Sequence, residues 1–540
     1  MTRSTATAIT TTTPTALVWE PPKGTTPSQA GVVVCSWLDT AATSFGRATH
    51  YNTREEQQEA EIHTHAALLR LDRDLYTAFL TLPGVTDRAR QMGLRNLLST
   101  PRNGTVGFLS AAVEREVLYR VINELPATRA LKIIEAFRVS NAEQGIAKAN
   151  NARTRKLILR TLLGSTRIEL WAVKYRSKMG RALTHAWGRR KASIVRSILA
   201  KPGNARTNKE RGILASSIDK HTGSNETGKV YQCVAFILGA QANLSLPLLK
   251  AFEAAKTDLS KGKRLPIEVL YGLRSQYHKD VPKEKILEIT KDSLTKGQRL
   301  TIQKRAKEAG VKVDMDPRDY DAVKLYIYAF ETGMTEEISD ALMEKAAKAA
   351  EAFPASYGKV GIVVDASRSM IGSSEQRLRP MAATLALRDM LSLTGDSSDV
   401  TYVGGTFNEE DHQGATKATL ARPQGETSIA EALVEVLQTG PDAVFVLSDG
   451  YENAPAGRFS EVVALVRDAG IETPIYHLNP VFAAEATGIR ELAPAIVPTM
   501  PVQSPGGLGL TMLRGMLEAE PVKGINALLQ TTLPAKSMEA

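Results

Sequence analysis

Apolar residues from about Ser36 to Phe353 recur at i, i+3, i+4 and i+7, in stretches of roughly 10–20 residues separated by short breaks. That spacing puts one apolar stripe on a helix, and it predicts helix after helix. TREEQQEAEIHTHAALLRLDRDLYTAFLTLPG reads as one helix that opens on a capping box, Thr53 with Glu56, and ends at Pro83-Gly84. TDRARQMGLRNLLST, AAVEREVLYRVINELP, ATRALKIIEAFRVS and ARTRKLILRTLLGS continue the series. Helices of this length pair and stack as a HEAT-like α-solenoid or pack as an irregular bundle, and the number of pairs and the short loops favour the solenoid. After AFPASYGK the grammar changes. Buried-type strands (VGIVVD, VTYVGG, DAVFVLSD, TPIYHL) alternate with helical stretches (LRPMAATLALRDMLSL, IAEALVEVLQ, FSEVVALVRDAG). Such alternation predicts βαβ units around a mostly parallel sheet covered on both faces. The expected fold class is therefore α plus α/β, with a boundary near residues 354–358. A tail covers 1–30, a helical domain 31–353, and a doubly wound, Rossmann-like domain 357–540.

Composition adds limits. The chain has 540 residues and is 43% hydrophobic, an ordinary globular balance. No apolar run approaches the ~20 residues that cross a bilayer. The opening MTRSTATAITTTTPTALVWEPPKG lacks an apolar core followed by a small-residue cleavage site, so it is expected to be a disordered tail and not a secretion signal. Cys35 and Cys233 are the two cysteines and form no CxxC pair, which points to a reducing, cytoplasmic setting without disulfides or a zinc ribbon. The net charge of +10 is uneven. Gly145 to Arg211 carries 18 Lys/Arg against two acids, whereas Tyr357 to the end carries 13 Lys/Arg against 22 Asp/Glu. The two halves are expected to meet different partners.

Candidate chemistry begins in GKVGIVVDASRSMIGSS, where the apolar run Val360 to Val364 delivers Asp365 into a hydroxyl-rich loop with Ser367 and Ser369. In an open α/β sheet, ligands sit beyond the carboxyl ends of the strands. One carboxylate with two hydroxyls is an oxygen-only set suited to Mg²⁺ or Mn²⁺. DAVFVLSDGYEN supplies Asp449, again the first acid after a buried run, and GETSIAEALVEVL supplies Thr427 ahead of a helix. Taken singly, Asp449-Gly450 is a turn and Thr427 a helix cap. In this order within one α/β domain, the five residues resemble the metal-ion-dependent adhesion site of von Willebrand factor A domains, over about residues 357–540. The resemblance implies that Ser367, Ser369 and Thr427 contact a divalent cation directly or nearly so, and that Asp365 and Asp449 act largely through water. One position stays open for an acidic group of a partner protein. No catalytic base or nucleophile stands nearby, so the site is read as a binding site and the protein as no enzyme.

The other strong signal is the basic run from Ala147 to Gly212. It carries Arg153, Arg155, Lys156, Arg160, Lys174, Arg176, Lys178, Arg181, Arg189, Arg190, Lys191 and Arg196, interleaved with Trp171, Tyr175, His185 and Trp187. An ordinary solvated helix face balances Lys/Arg with acids at i, i+4, and this one does not. The charge is the footprint of a phosphate-binding surface. Trp171 and Trp187 are expected in the core, whereas Tyr175 and His185 are placed to stack on bases. Membrane-surface binding is the weaker reading, because these segments show no large apolar face with anchors. A HEAT-like basic domain followed by an A domain resembles the Ro/TROVE family of RNA-binding proteins, over about residues 31–540. The resemblance implies a ring of helical repeats closed by the A domain, a ribonucleoprotein that holds small non-coding Y RNAs outside and single-stranded RNA ends in its hole. Such a protein acts as an RNA chaperone or scaffold and can serve an RNA-processing enzyme. The family's glycine-rich stretch near the start of the ring is replaced here by SFGRATHYNTREEQ, so the RNA-binding residues rest on charge clustering alone. Two alternatives stay open. One is a protein-interaction scaffold without RNA, and the other an accessory subunit of a chaperone-like ATPase.

Three further signals are set aside. GSNETGKV nearly spells a P-loop, but Val230 replaces the Mg²⁺-binding hydroxyl and no buried strand precedes it. GGLGLT lacks the third glycine of a dinucleotide fingerprint. His63 and His65 lie two apart on a helix, share no face, and are expected at the surface.

Overall fold

Helices occupy the chain from Pro27 to Glu351, and strands begin at Tyr357. The computed structural model describes residues 18–102, 107–137, 151–240, 243–353, 356–407 and 418–532. The expected tail thus lies outside the described residues only over 1–17. From Val18 the chain is placed, and Trp19 is buried, its backbone N–H donating to Asn526 Oδ1 at 2.6 Å. The first helix, Pro27–Thr43, also starts before residue 31.

The stretch expected as one helix over 53–84 is two, Arg54–Leu71 and Arg73–Phe79. Asp72 separates them: its carboxylate accepts from the backbone N–H groups of Asp74 (2.8 Å) and Leu75 (3.0 Å), an N-cap in mid-stripe. The capping box of Thr53 and Glu56 forms. His63 is exposed, but His65 is buried, with Nδ1 2.6 Å from the Tyr76 hydroxyl and its ring edge-on to Trp37. The surface expectation fails for His65 because the buried stripe of its helix runs through Glu61, Thr64, His65 and Leu68. Farther along, helices pack on the next but one. Asp87–Ser99 packs on Ala127–Ala136, and Ala111–Glu124 packs on Ala152–Leu163.

The strands are β1 (Tyr357–Ala366), β2 (Gly395–Gly404), β3 (Ala443–Leu447), β4 (Ile475–Asn479), the short β5 (Phe482–Ala483) and β6 (Gly488–Ile489), and β7 (Thr499–Pro501). Five form one parallel sheet in the order β2-β1-β3-β4-β7, while β5 and β6 make a small antiparallel pair. Helix Arg379–Leu391 shares one apolar cluster with alternate residues of β1 and β3, and Ile429–Gln438 and Arg458–Asp468 share another. Among the described residues no helix is long and apolar enough to cross a membrane.

The α/β domain does not keep the whole of 357–540 to itself. Helices Leu508–Ala519 and Pro521–Thr532 pack on Pro27–Thr43, and Leu517, Ile525, Leu528 and Leu529 belong to the apolar core of the helical region. At the other end, helices Ala322–Thr332 and Glu336–Glu351 pack on Arg379–Leu391. The first and last helices of the helical region are therefore both tied to the C-terminal part of the chain. Arg514 joins them electrostatically: it pairs with Asp39 of the first helix (3.0 Å), Glu491 (3.1 Å) and Glu518 (2.7 Å). Burial, only partly offset by Arg514, pushes the Asp39 carboxyl up to about 6 from 3.8. The folded state then holds this proton more tightly than the unfolded one. Stability from Asp39 is full below about pH 4 and is lost as pH rises through about 6. Arg514→Met should cost about 3–5 kcal/mol in urea denaturation near pH 8, where it strands a buried anion. The loss should shrink near pH 5, once Asp39 is protonated. An equal loss at both pH values would contradict this account of the junction.

Candidate metal centre and cationic surface

β1 lies between β2 and β3, and the register pairs Val364 with Leu447. Asp365 and the Ser448-Asp449 step therefore leave the sheet side by side at its C-terminal edge. The Ser367 N–H donates to Asp365 Oδ1 at 2.9 Å, and the Ser448 hydroxyl donates to Oδ2 at 2.7 Å. The Ser367 and Ser369 hydroxyls are 3.2 Å apart, and Ser369 lines the same small cavity as Asp449. Thr427 arrives from a third segment. The Arg368 N–H donates to Gly425 O (3.1 Å) and the Gln424 N–H to Ala366 O (2.8 Å), drawing that segment alongside the β1 loop. Thr427 N–H then donates to Asn453 Oδ1 at 3.0 Å, which ties it to the loop after β3. Asp365, Ser367, Ser369, Thr427 and Asp449 are all buried. Gly450 makes the loop geometry accessible: its φ is +82°, and a Cβ there would stand against Arg490 O. Sequence reasoning overlooked Ser448 and Asn453, although both stand within the quoted string DAVFVLSDGYEN. A hydroxyl one residue before the strand-end acid was the available signal for Ser448.

Electrostatics set this pair of acids apart. Seven carboxylates are buried among the described residues. Five sit against arginine: Asp39–Arg514 (3.0 Å), Glu61–Arg88 (2.8 Å), Asp74–Arg102 (2.9 Å), Glu114–Arg73 (3.0 Å) and Asp389–Arg388 (2.7 Å). Asp365 and Asp449 form no ion pair with the described residues. Burial raises Asp365, and burial with the neighbouring Asp365 charge, only partly opposed by Arg490, pushes Asp449 up to about 7. Two buried acids with hydroxyl oxygens and no ion-pair partner among the described residues, only the more distant charge of Arg490 acting on Asp449, are a donor set that fits a hard divalent cation. No group of three or more His, Cys, Asp or Glu suited to a metal occurs among the described residues, so hydroxyls would have to complete any coordination here.

The fourteen residues expected to bind RNA divide into three groups. Several are engaged within the protein. Arg153 pairs with Glu114 (3.3 Å), Arg160 with Glu116 (2.5 Å), Lys174 with Glu268 (2.9 Å), and Arg181 with Glu135 (3.4 Å). Arg176 donates to Phe236 O at 2.9 Å and stacks on that ring, and Arg196 donates to Gly239 O at 3.1 Å. Tyr175 is half-buried beside Lys174, His185 is half-buried, and Arg155 is exposed. Lys156, Lys178, Arg189, Arg190 and Lys191 have no carboxylate partner among the described residues, and all but the half-buried Lys191 are exposed. Trp171 is buried, and Trp187 is half-buried with Nε1 donating to Ser217 O. Helices Arg176–Trp187 and Arg189–Leu199, which pack together, frame a groove of about 600 Å³ lined by Arg176, Arg181, His185 and Arg189 and by no acid.

Residues 356–507, which carry the parallel sheet and the strand-end residues, match the family described as VWA domain containing CoxE-like protein. The C-terminal sheet domain is a von Willebrand A domain. The match ends just before helix Leu508–Ala519, where the chain returns to the helical region. No curated protein matches the chain.

An uncompensated pair makes an unusual prediction for a buried polar substitution. In a chelating buffer near pH 8, Asp449→Asn should stabilise the protein by about 1 kcal/mol or more, because it removes like-charge repulsion in a low-dielectric site. A lower thermal midpoint for the variant under those conditions would contradict net repulsion between the two acids.

Proposed function

We propose that the protein is an RNA-binding scaffold of the Ro/TROVE kind, in which the helical region and the A domain together close a ring. The cationic face of helices Ala152–Leu163, Arg176–Trp187 and Arg189–Leu199 would hold a small structured RNA, Y RNA-like, and the ring's opening would take a single-stranded end. The protein acts by holding and presenting RNA in quality control or processing, and carries out no chemistry on it. A divalent cation, Mg²⁺ or Mn²⁺, belongs to the A domain at Asp365, Ser367, Ser369, Thr427 and Asp449.

The observation that carries this reading is the acid-free groove between the two central basic helices. Its rim has a feature that water alone does not explain. Arg189, Arg190 and Lys191 fill the first turn of helix Arg189–Leu199, which holds no acid. Helix N-termini favour negative charge, so three cations there repel both the dipole and one another. A phosphate backbone relieves both costs at once. The packing of both ends of the helical region against the C-terminal part of the chain supports closure, since stacked helices need their terminal faces covered.

A separate observation favours a second reading, an A-domain protein scaffold without RNA: the oxygen set lies at the sheet edge where A domains take acidic partners. One titration separates the two. Fluorescence anisotropy would compare a hairpin RNA with a single-stranded 3′ overhang, the same duplex blunt-ended, and a polyglutamate peptide. RNA affinity should fall with salt at a slope of about −0.7 to −0.9 per neutralised phosphate, and the overhang should bind more tightly than the blunt duplex. The triple variant R189E/R190E/K191E should lose about tenfold or more for RNA and less for polyglutamate. Equal losses for both ligands would favour the protein scaffold and overturn the RNA reading.

A further inference from the structure

The outward side of the strand-end oxygen set is closed by the helical region itself. The segment between helices Pro27–Thr43 and Arg54–Leu71 passes over it, within the same SFGRATHYNTREEQ stretch that departs from the Ro/TROVE pattern. The Tyr51 ring stacks on Tyr451 of the loop after β3, with centroids 3.6 Å apart and planes at 24°. Tyr51 borders the same small cavity as Ser369, and its hydroxyl stands in the field of Asp449 and Asp365. The cavity left between this segment and the site, bounded by Tyr51, Ser369 and Asp449, holds about 30 Å³, space for about one water.

The segment is fastened on both sides of Tyr51. Toward the β1 loop, Arg54 pairs with Glu375, the Ala48 N–H donates to Glu375 Oε2 (3.2 Å), and the Ser373 hydroxyl donates to Ala48 O (2.6 Å). Toward β5, Asn52 donates to Glu485 (2.6 Å) and accepts from the Ala484 N–H (3.1 Å). Most of these contacts are at the surface, and Tyr51 itself remains 42% exposed. Surface contacts of this kind are individually weak in water, so the segment covers the site without belonging to a core.

We infer that Tyr51 and its segment are the A domain's intramolecular ligand. They occupy the outward position of the strand-end site, so a carboxylate from another molecule reaches the cation only when the segment lifts. This rests on the reading of that site as a cation centre. Cation binding and segment closure are then linked, and whatever favours one affects the other by the same factor. Glu375 is a positioning residue in this arrangement, acting through Arg54 and the backbone of Ala48.

Mn²⁺ is the probe. The full-length protein, stripped with a chelator, is titrated with Mn²⁺; the paramagnetic signal of the free ion gives the bound fraction. Water-proton relaxation then reports solvent exchange at the bound ion. The wild type should bind Mn²⁺ with low relaxation enhancement. Tyr51→Ala should raise the enhancement per bound ion by about twofold or more, because ions of this class keep water wherever protein does not supply a ligand. Glu375→Ala, which frees the segment without touching the oxygen set, should move it the same way. Mn²⁺ bound with equal enhancement in all three proteins overturns the intramolecular ligand and leaves the cation site standing. No Mn²⁺ bound by any of them overturns the cation site and the ligand with it.

Discussion

Two buried carboxylates without an ion-pair partner among the described residues are the constraint on which the strand-end edge of the A domain depends. Asp365 and Asp449 are brought together by the parallel register of β1 and β3, and among the described residues no arginine forms an ion pair with them, as one does with each of the other five buried acids; Arg490 acts on Asp449 only from a distance. The sheet could have closed this edge with an ion pair or with apolar residues at lower cost. It spends hydroxyls there instead. Ser367, Ser369 and Ser448 donate to or stand beside the two acids, and Thr427 is pulled in by backbone bonds from a third segment.

The same edge is where the two halves of the chain meet. The segment carrying Tyr51 reaches it from the helical region, and the last two helices return from the A domain to pack on the first. Asp39 and Arg514, 475 residues apart in sequence, are one ion pair of that return. The helical region and the C-terminal part of the chain are thus joined by packing and by local ion pairs, while the cationic groove of the helical region lies on elements that take no part in the junction. The architecture separates the cationic groove from the strand-end pair of buried acids.

The change of hydrophobic period near residue 354 made the two-part fold legible, and the five strand-end residues were legible because each follows or precedes a buried run in a fixed order. What escaped depends on contacts that no local pattern records. Asp72 splits a helix whose apolar spacing continues across it, since a cap and an ordinary polar position look alike in sequence. His65 is buried because Trp37 and Tyr76 arrive from neighbouring helices. Part of the basic run is neutralised by acids 39, 44 and 94 residues away, so the missing i, i+4 acids exaggerated its free charge. Tyr51 belongs to a stretch noted only for failing to match a family pattern, and its role needs the fold of both halves.

The most direct test of the central claim is calorimetric titration of Mg²⁺ into the chelator-stripped full-length protein near pH 7, in two buffers of different ionisation enthalpy. The account predicts saturable binding with proton release, because the cation displaces the proton that burial and Asp365 hold on Asp449. It also predicts that Asp365→Ala abolishes both the heat and the proton release. Binding that is absent in the wild type, or undiminished in that variant, would contradict a cation as the counter-charge of the pair.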